Sequence, residues 1–178
     1  MDTVKWILDP AHSEITFKVR HLMISTVTGS FRKFDLVVET EGDDFLTTTN
    51  LQLTVETDSV STNNDARDHH LKSADFFDVK EFPLFRFSGK RVFMDGESML
   101  LEGALTLKGI TKLVTAAVDF AGLTIDSYRQ TKAGFSVTGK LNRKDFGLQW
   151  GALTEAGKVV VSDEVKFDAE IQLIRQVL

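Results

Sequence analysis

Residues Val165 to Leu173 read VKFDAEIQL, with Val165, Phe167, Ala169, Ile171 and Leu173 alternating against Lys166, Asp168, Glu170 and Gln172. A period of two with the apolar residues on one parity is what a β-strand with one buried and one wet face requires, because successive side chains point to opposite faces. The pattern recurs upstream. Phe135, Val137, Gly139 and Leu141 alternate with Ser136, Thr138 and Lys140; Leu101, Gly103, Leu105 and Leu107 with Glu102, Thr106 and Lys108; Phe85 and Phe87 with Arg86 and Ser88. Nearer the amino end, Leu51, Leu53 and Val55 alternate with Gln52, Thr54 and Glu56, and Ile15, Phe17, Val19 and His21 with Thr16, Lys18 and Arg20. Parity therefore places Phe17, Val19, His21, Leu53, Val55, Phe87, Leu105, Phe135, Val137 and Phe167 on the inner face.

Gly29, Phe31, Phe34, Leu36 and Val38 belong to a further strand whose parity slips between Phe31 and Phe34, which predicts a bulge or bend. Trp6, Ile7 and Leu8 also read as a strand, and Lys108 to Lys112, with Gly109, as a turn leading to a hairpin partner at Leu113 to Phe120. About eight two-faced strands with only two prolines leave unpaired edges that closure removes. The expected fold is all-β: a closed antiparallel barrel of about eight strands forming a single domain over residues 1–178. Gly103 and Gly139, on inward parity, are expected to leave space or permit sharp bending.

The period changes once, at Thr62 to Phe77, TNNDARDHHLKSADFF. Thr62, Asn63 and Asn64 all suit a helix N-cap, with Asp65 completing a weak capping box with Thr62. One short helix after the third strand is expected. At helical spacing Arg67, His70, Leu71 and Ala74 share a face, while His69 points elsewhere, within reach of Asp65. Too short to persist alone, the helix must dock, anchored by Phe76, Phe77, Phe82 and Pro83, with Pro83 ending helical tendency before it.

The 178 residues, 42% hydrophobic and 26% charged, suit one ordinary globular core. A net charge of -5 gives no support to nucleic-acid binding. The absence of cysteine excludes a disulfide frame and thiolate chemistry. No signal-peptide pattern precedes Trp6, which places the chain as written in the cytoplasm, and no run approaches the length of an integral membrane segment. Fourteen Phe against one Tyr and two Trp suit a wholly apolar interior.

The ordered set Trp6, Asp9, Pro10, His12 and Ser13 (W-x-x-D-P-x-H-S); Phe17, Val19 and His21; Gly29 and Phe31; Arg67, Asp68, His70 and Leu71 (R-D-x-H-L); Phe76 and Phe77; Pro83; Gly103, Leu105, Thr106, Leu107 and Gly109 (G-x-L-T-L-x-G); and Asn142, Arg143, Asp145, Phe146 and Gly147 (N-R-x-D-F-G) resembles the YceI-like family of polyisoprenoid-binding proteins. The resemblance spans nearly the whole chain. It implies a lipocalin-like barrel whose bore holds a long isoprenoid or fatty chain, with no metal and no established reaction. It also implies frequent export, so a periplasmic location follows if a leader has been removed.

Periodicity alone favours a bore filled by its own side chains; the resemblance favours a hollow one lined by the inward residues above, with Phe31. Asp68 and His70 lie roughly 200° apart around a helix and cannot orient each other, so the R-D-x-H-L positions read as structural. Arg67 and His70 are expected to tie the helix to the rim, through Asp145 or a backbone carbonyl, with Leu71 packed beneath and Arg143 and Asp145 as further motif positions. His12, His21, His69 and His70 have no metal-ligand spacing, and Gly134-Phe135-Ser136-Val137-Thr138 fails as a nucleophile elbow. The expected function is a non-catalytic carrier of a polyisoprenoid, isoprenoid quinone or fatty-acid derivative, with no catalytic residue, metal or cofactor, and with a homodimer left open. The alternatives are an enzyme using His70, His21 or His12 as base, or a filled barrel that only binds another protein.

Overall fold

The computed structural model describes residues 2–151 and 160–176. Its strands are β1 (Thr3–Leu8), β2 (Glu14–His21), β3 (Ser25–Phe31), β4 (Phe34–Glu41), β5 (Asn50–Glu56), β6 (Val60–Ser61), β7 (Leu84–Asp95), β8 (Ser98–Leu107), β9 (Ile110–Ile125), β10 (Thr131–Asn142) and β11 (Val161–Arg175), with helix α1 (Asp65–Lys72) between β6 and β7. The sheet runs β1-β4-β5-β7-β8-β9-β10-β11 and returns to β1, a closed antiparallel ring of eight. Eleven strands form eight staves because three staves are bent. β1 and β2 both lie antiparallel along β11, through Leu8↔Leu173 and Glu14↔Glu170, broken by a turn at Pro10–His12. β3 and β4 break at Arg32 and Lys33, where the parity slips, and β5 and β6 break at Thr57–Ser59.

The first bend is held by charge. Asp9, nearly buried, accepts hydrogen bonds from Lys132 Nζ (2.8 Å) and His12 Nδ1 (3.0 Å), and Lys132 also reaches Asp126 (3.4 Å). Burial works to raise the Asp9 carboxyl, but the hydrogen bonds from Lys132 and His12 outweigh it and hold its pKa below the usual value. The hydrogen bond to Asp9 holds Lys132 above the usual amine value.

Ring closure centres on Trp6, fully buried between β4 and β11, whose Nε1 donates to Thr40 Oγ1 at 3.0 Å. The β8–β9 turn takes Lys108 and Gly109 through positive φ (51° and 76°), the two-residue hairpin geometry for which glycine is favoured.

The helix departs from expectation in three ways. β5 does not lead straight into it, because the Thr57–Ser59 turn and β6 intervene. Of the three N-cap candidates Asn64 is the one used, its side chain accepting from Arg67 N, whereas Thr62 sits outside the helix and so caps no box with Asp65. It ends at Lys72, capped by Ser73, long before Pro83; Ser73 Oγ takes the His70 carbonyl at 2.6 Å and so satisfies the last turn locally. Asp65 and His69 are both exposed and form no ion pair among the described residues. Nor is any helix among them long and apolar enough to cross a membrane.

Candidate functional site

The ring encloses a cavity of about 460 Å³, within the roughly 300–1,000 Å³ range of small-ligand sites. A bore filled by its own side chains, as periodicity alone favours, is therefore not what the chain builds. Phe17, Val19 and His21 from β2 and Phe31 from β3 line the cavity, facing Leu53 from β5 and Phe87 from β7. Leu105 from β8, Phe135 and Val137 from β10 and Phe167 from β11 complete the inward set. Val55 does not belong to it. It is fully buried in a cluster with Phe31 and Val60, over which Phe77 and Phe85 pack, so its inward parity ends in a packed layer.

One end is shut by aromatic rings. Phe45, carried by the turn after β4, packs on Trp6, Phe120 and Phe135 at ring-centroid distances of 4.8, 5.4 and 4.7 Å. Away from Phe45 the wall carries Arg20, His21, Thr62, Arg67, His70 and Arg143; Thr16 and, beside Phe45, Thr48 are its other polar residues. Leu71, Phe76 and Phe77 pack between α1 and the barrel core.

Arg67, Asp68 and His70 do not meet Asp145, which is exposed in the Arg143–Phe146 turn. Arg67 donates from Nε to Thr62 Oγ1 (2.7 Å) and from Nη2 to Thr62 O (2.8 Å), and Asp68 accepts from Thr62 N and Oγ1 (2.8 and 2.6 Å). The helix thus clamps buried Thr62 from two sides, and a backbone carbonyl is the partner Arg67 takes. His70 Nε2 meets Asp75 Oδ2 at 2.8 Å, with its ring edge-on to Trp150 and Phe76. Arg67→Ala is expected to lower stability by about 1 to 2 kcal/mol. His69→Ala, with an exposed side chain, should stay within about 0.5 kcal/mol. Paired thermal melts compare them, and a larger loss in His69→Ala would show that the docking face is assigned wrongly.

Arg143 is the buried centre of this end. Its Nε donates to Ser162 O (3.0 Å), Nη1 to Leu148 O and Trp150 O (both 2.6 Å) and Nη2 to Val161 O (3.4 Å), with Asp163 3.7 Å away. Burial lowers its pKa, and Asp163 opposes the effect. Five donors in a rigid fork suit a site that must gather carbonyls from two segments. The result sets Leu148, Trp150 and Val161 into the cavity wall. Sequence reasoning placed Arg143 only as a motif position and missed Phe45, Leu148, Trp150, Asp75 and the role of Thr62. It also left Val114, Ala116 and Val118 of β9 unassigned, although their alternation was readable. Among the described residues no group of three or more His, Cys, Asp or Glu is placed to hold a metal ion.

Similarity to known proteins agrees with this architecture. A model of the YceI-like domain matches residues 6–173. A UPF0312 protein of Staphylococcus aureus strain MW2 is 41% identical over 167 residues, 92% of this chain and 94% of the relative. The structure of a Campylobacter jejuni YCEI protein superposes with a TM-score of 0.75 at 30% identity, over 96% of this chain and 97% of that one. Two more distant structures share the fold: BcnA of Burkholderia cenocepacia (TM-score 0.78, 22% identity, 93% and 98% coverage) and a polyisoprenoid binding domain from Saccharophagus degradans (0.72, 16%, 96% and 98%). A match across this length, to a barrel closed in the way described, makes the chain a member of the YceI-like family.

Proposed function

We propose that this protein is a non-catalytic carrier of a long-chain apolar ligand, a polyisoprenoid, an isoprenoid quinone or a fatty-acid derivative, held in the barrel. The observation that carries the reading is the cavity itself: a wall mostly of Phe, Leu and Val side chains, packed with rings at one end and with its charged and imidazole groups away from them. The similarity in fold to a domain described as polyisoprenoid binding supports the same class of ligand. Burying each CH₂ is worth about 0.8 kcal/mol, so about ten methylenes leave several kcal/mol after the chain is ordered. Affinity therefore rises with chain length.

Organic extraction of natively purified protein, followed by mass spectrometry, identifies the cargo. Val137→Trp supplies the control. Val137 lies level with Val118 on β9 and Ala169 on β11, a small-residue level that an indole would fill. Lipid retention is expected to disappear while the protein still melts cooperatively. Equal, weak binding of short and long chains, or identical behaviour of wild type and Val137→Trp, would sink the carrier reading.

One observation favours a second reading, an enzyme acting on the bound lipid: Asp75 holds His70 as a carboxylate holds a general base. Against it, Thr62 Oγ1, a hydroxyl of the cavity wall, is already engaged by Arg67 and Asp68. Turnover of the extracted lipid by wild type, lost in His70→Gln, would establish it.

A further inference from the structure

Eight strands make a bore that phenylalanines pointing at the axis would fill, yet Phe17, Phe87 and Phe167 all point inward around open space. One rung of the barrel runs Gly29 (β3), Phe17 (β2), Phe167 (β11), Gly139 (β10) as consecutive cross-strand partners. The two rings splay apart, each lying over the glycine on its outer side. A Cβ built on Gly29 would fall on the Phe17 ring, 2.6 and 2.8 Å from its edge carbons, and one on Gly139 would fall on the Phe167 ring, 2.9 and 3.0 Å from its edge carbons. Phe87 lies over Gly103 in the same manner. None of these glycines has the positive φ that glycine is otherwise needed for, so what they supply is room.

We infer that these glycine and phenylalanine pairs set the width of the bore and thereby select what it carries. The glycines are berths that let the rings lie flat against the wall. An alanine in a berth evicts its ring toward the axis, into the volume assigned above to the ligand chain. Gly29 and Gly139 are the clean positions, since at each the three atoms nearest to an added Cβ are all ring atoms, whereas at Gly103 a side chain would also strike the Ser88 carbonyl. The inference rests on the carrier reading for its ligand but concerns a separate question, what keeps the bore open.

The test uses 11-(dansylamino)undecanoic acid as a fluorescent long-chain probe, titrated into delipidated wild type, Gly139→Ala and Gly139→Ala/Phe167→Leu, with thermal melts of each. Wild type should bind, Gly139→Ala should bind on the order of tenfold or more weaker while still melting cooperatively, and the double variant should recover most of the loss because leucine needs no berth. Gly29→Ala with Phe17→Leu repeats the test on the neighbouring stave. If Gly139→Ala binds as wild type does, or the double variant stays as weak as the single one, the inference is overturned. A wild type that binds no probe would instead overturn the carrier reading.

Discussion

Arg143→Met is expected to lose about 3 to 5 kcal/mol of unfolding free energy, a large share of what holds a domain of this size together. Methionine replaces the unbranched stem of the side chain and supplies none of its donors. The carbonyls of Leu148, Trp150, Val161 and Ser162 would lose their shared partner at once. A buried carbonyl left without a donor costs about 1 to 3 kcal/mol, and partial hydration keeps the sum below four such losses. Arg143→Lys should rescue little, because one ammonium cannot span two segments. Urea titration followed by circular dichroism reads the loss, and a shift below about 1 kcal/mol would show that the segments hold themselves. Extraction should also recover less lipid from any folded fraction, since Trp150 and Val161 owe their place in the wall to this guanidinium.

Asp9→Ala is expected to cost about 3 kcal/mol at neutral pH, at the low end for a broken buried pair because Asp126 remains beside Lys132. The pH dependence fixes the assignment. The Asp9 carboxyl is depressed in the folded state, so its contribution is fully present above the unfolded carboxylate value of about 3.9 and fades as pH falls through the lower folded value. Lys132 is raised, so its contribution is complete below the unfolded amine value of about 10.4 and is lost as pH rises through the folded one. Wild type and Asp9→Ala should thus converge in stability in strong acid and differ near neutrality. A difference that persisted unchanged at the lowest accessible pH would mean that Asp9 acts by packing and not by charge.

The strands were legible because each obeys a local rule that neighbours on the other side of the barrel do not alter. The slip between Phe31 and Phe34 announced the bend at Arg32 and Lys33, and the turn around Gly109 stood where glycine allows it. What parity could not say is whether an inward residue meets space or another side chain. Val55 and Leu53 are two positions apart on β5, yet only Leu53 reaches the cavity, because the rings that bury Val55 come from β3, from β7 and from the segment after α1. Of the two partners offered for Arg67 and His70, the backbone carbonyl holds for Arg67 and Asp145 holds for neither, for a related reason: Thr62 and Asp75 lie within five residues of them and win by proximity. Gly103 and Gly139 were read as room or as bends. They are room already occupied, a fact that needs the register of the partner strand.

The pairing of β1 with β11 means that the first strand of this barrel to be synthesised waits for the last of it. Until β11 emerges, β1 and β10 each present an unpaired edge, and the nascent sheet is an open, twisted ribbon with its apolar face uncovered. Most cross-strand neighbours are close in sequence, but this closing seam joins Trp6 to Arg175, and such long-range closure is the slow step in β topologies. The unclosed ribbon is therefore the species most exposed to aggregation during synthesis. On the carrier reading, a bound chain would stabilise only the closed ring, so cargo present during folding would act as a scaffold for the seam as well as a passenger.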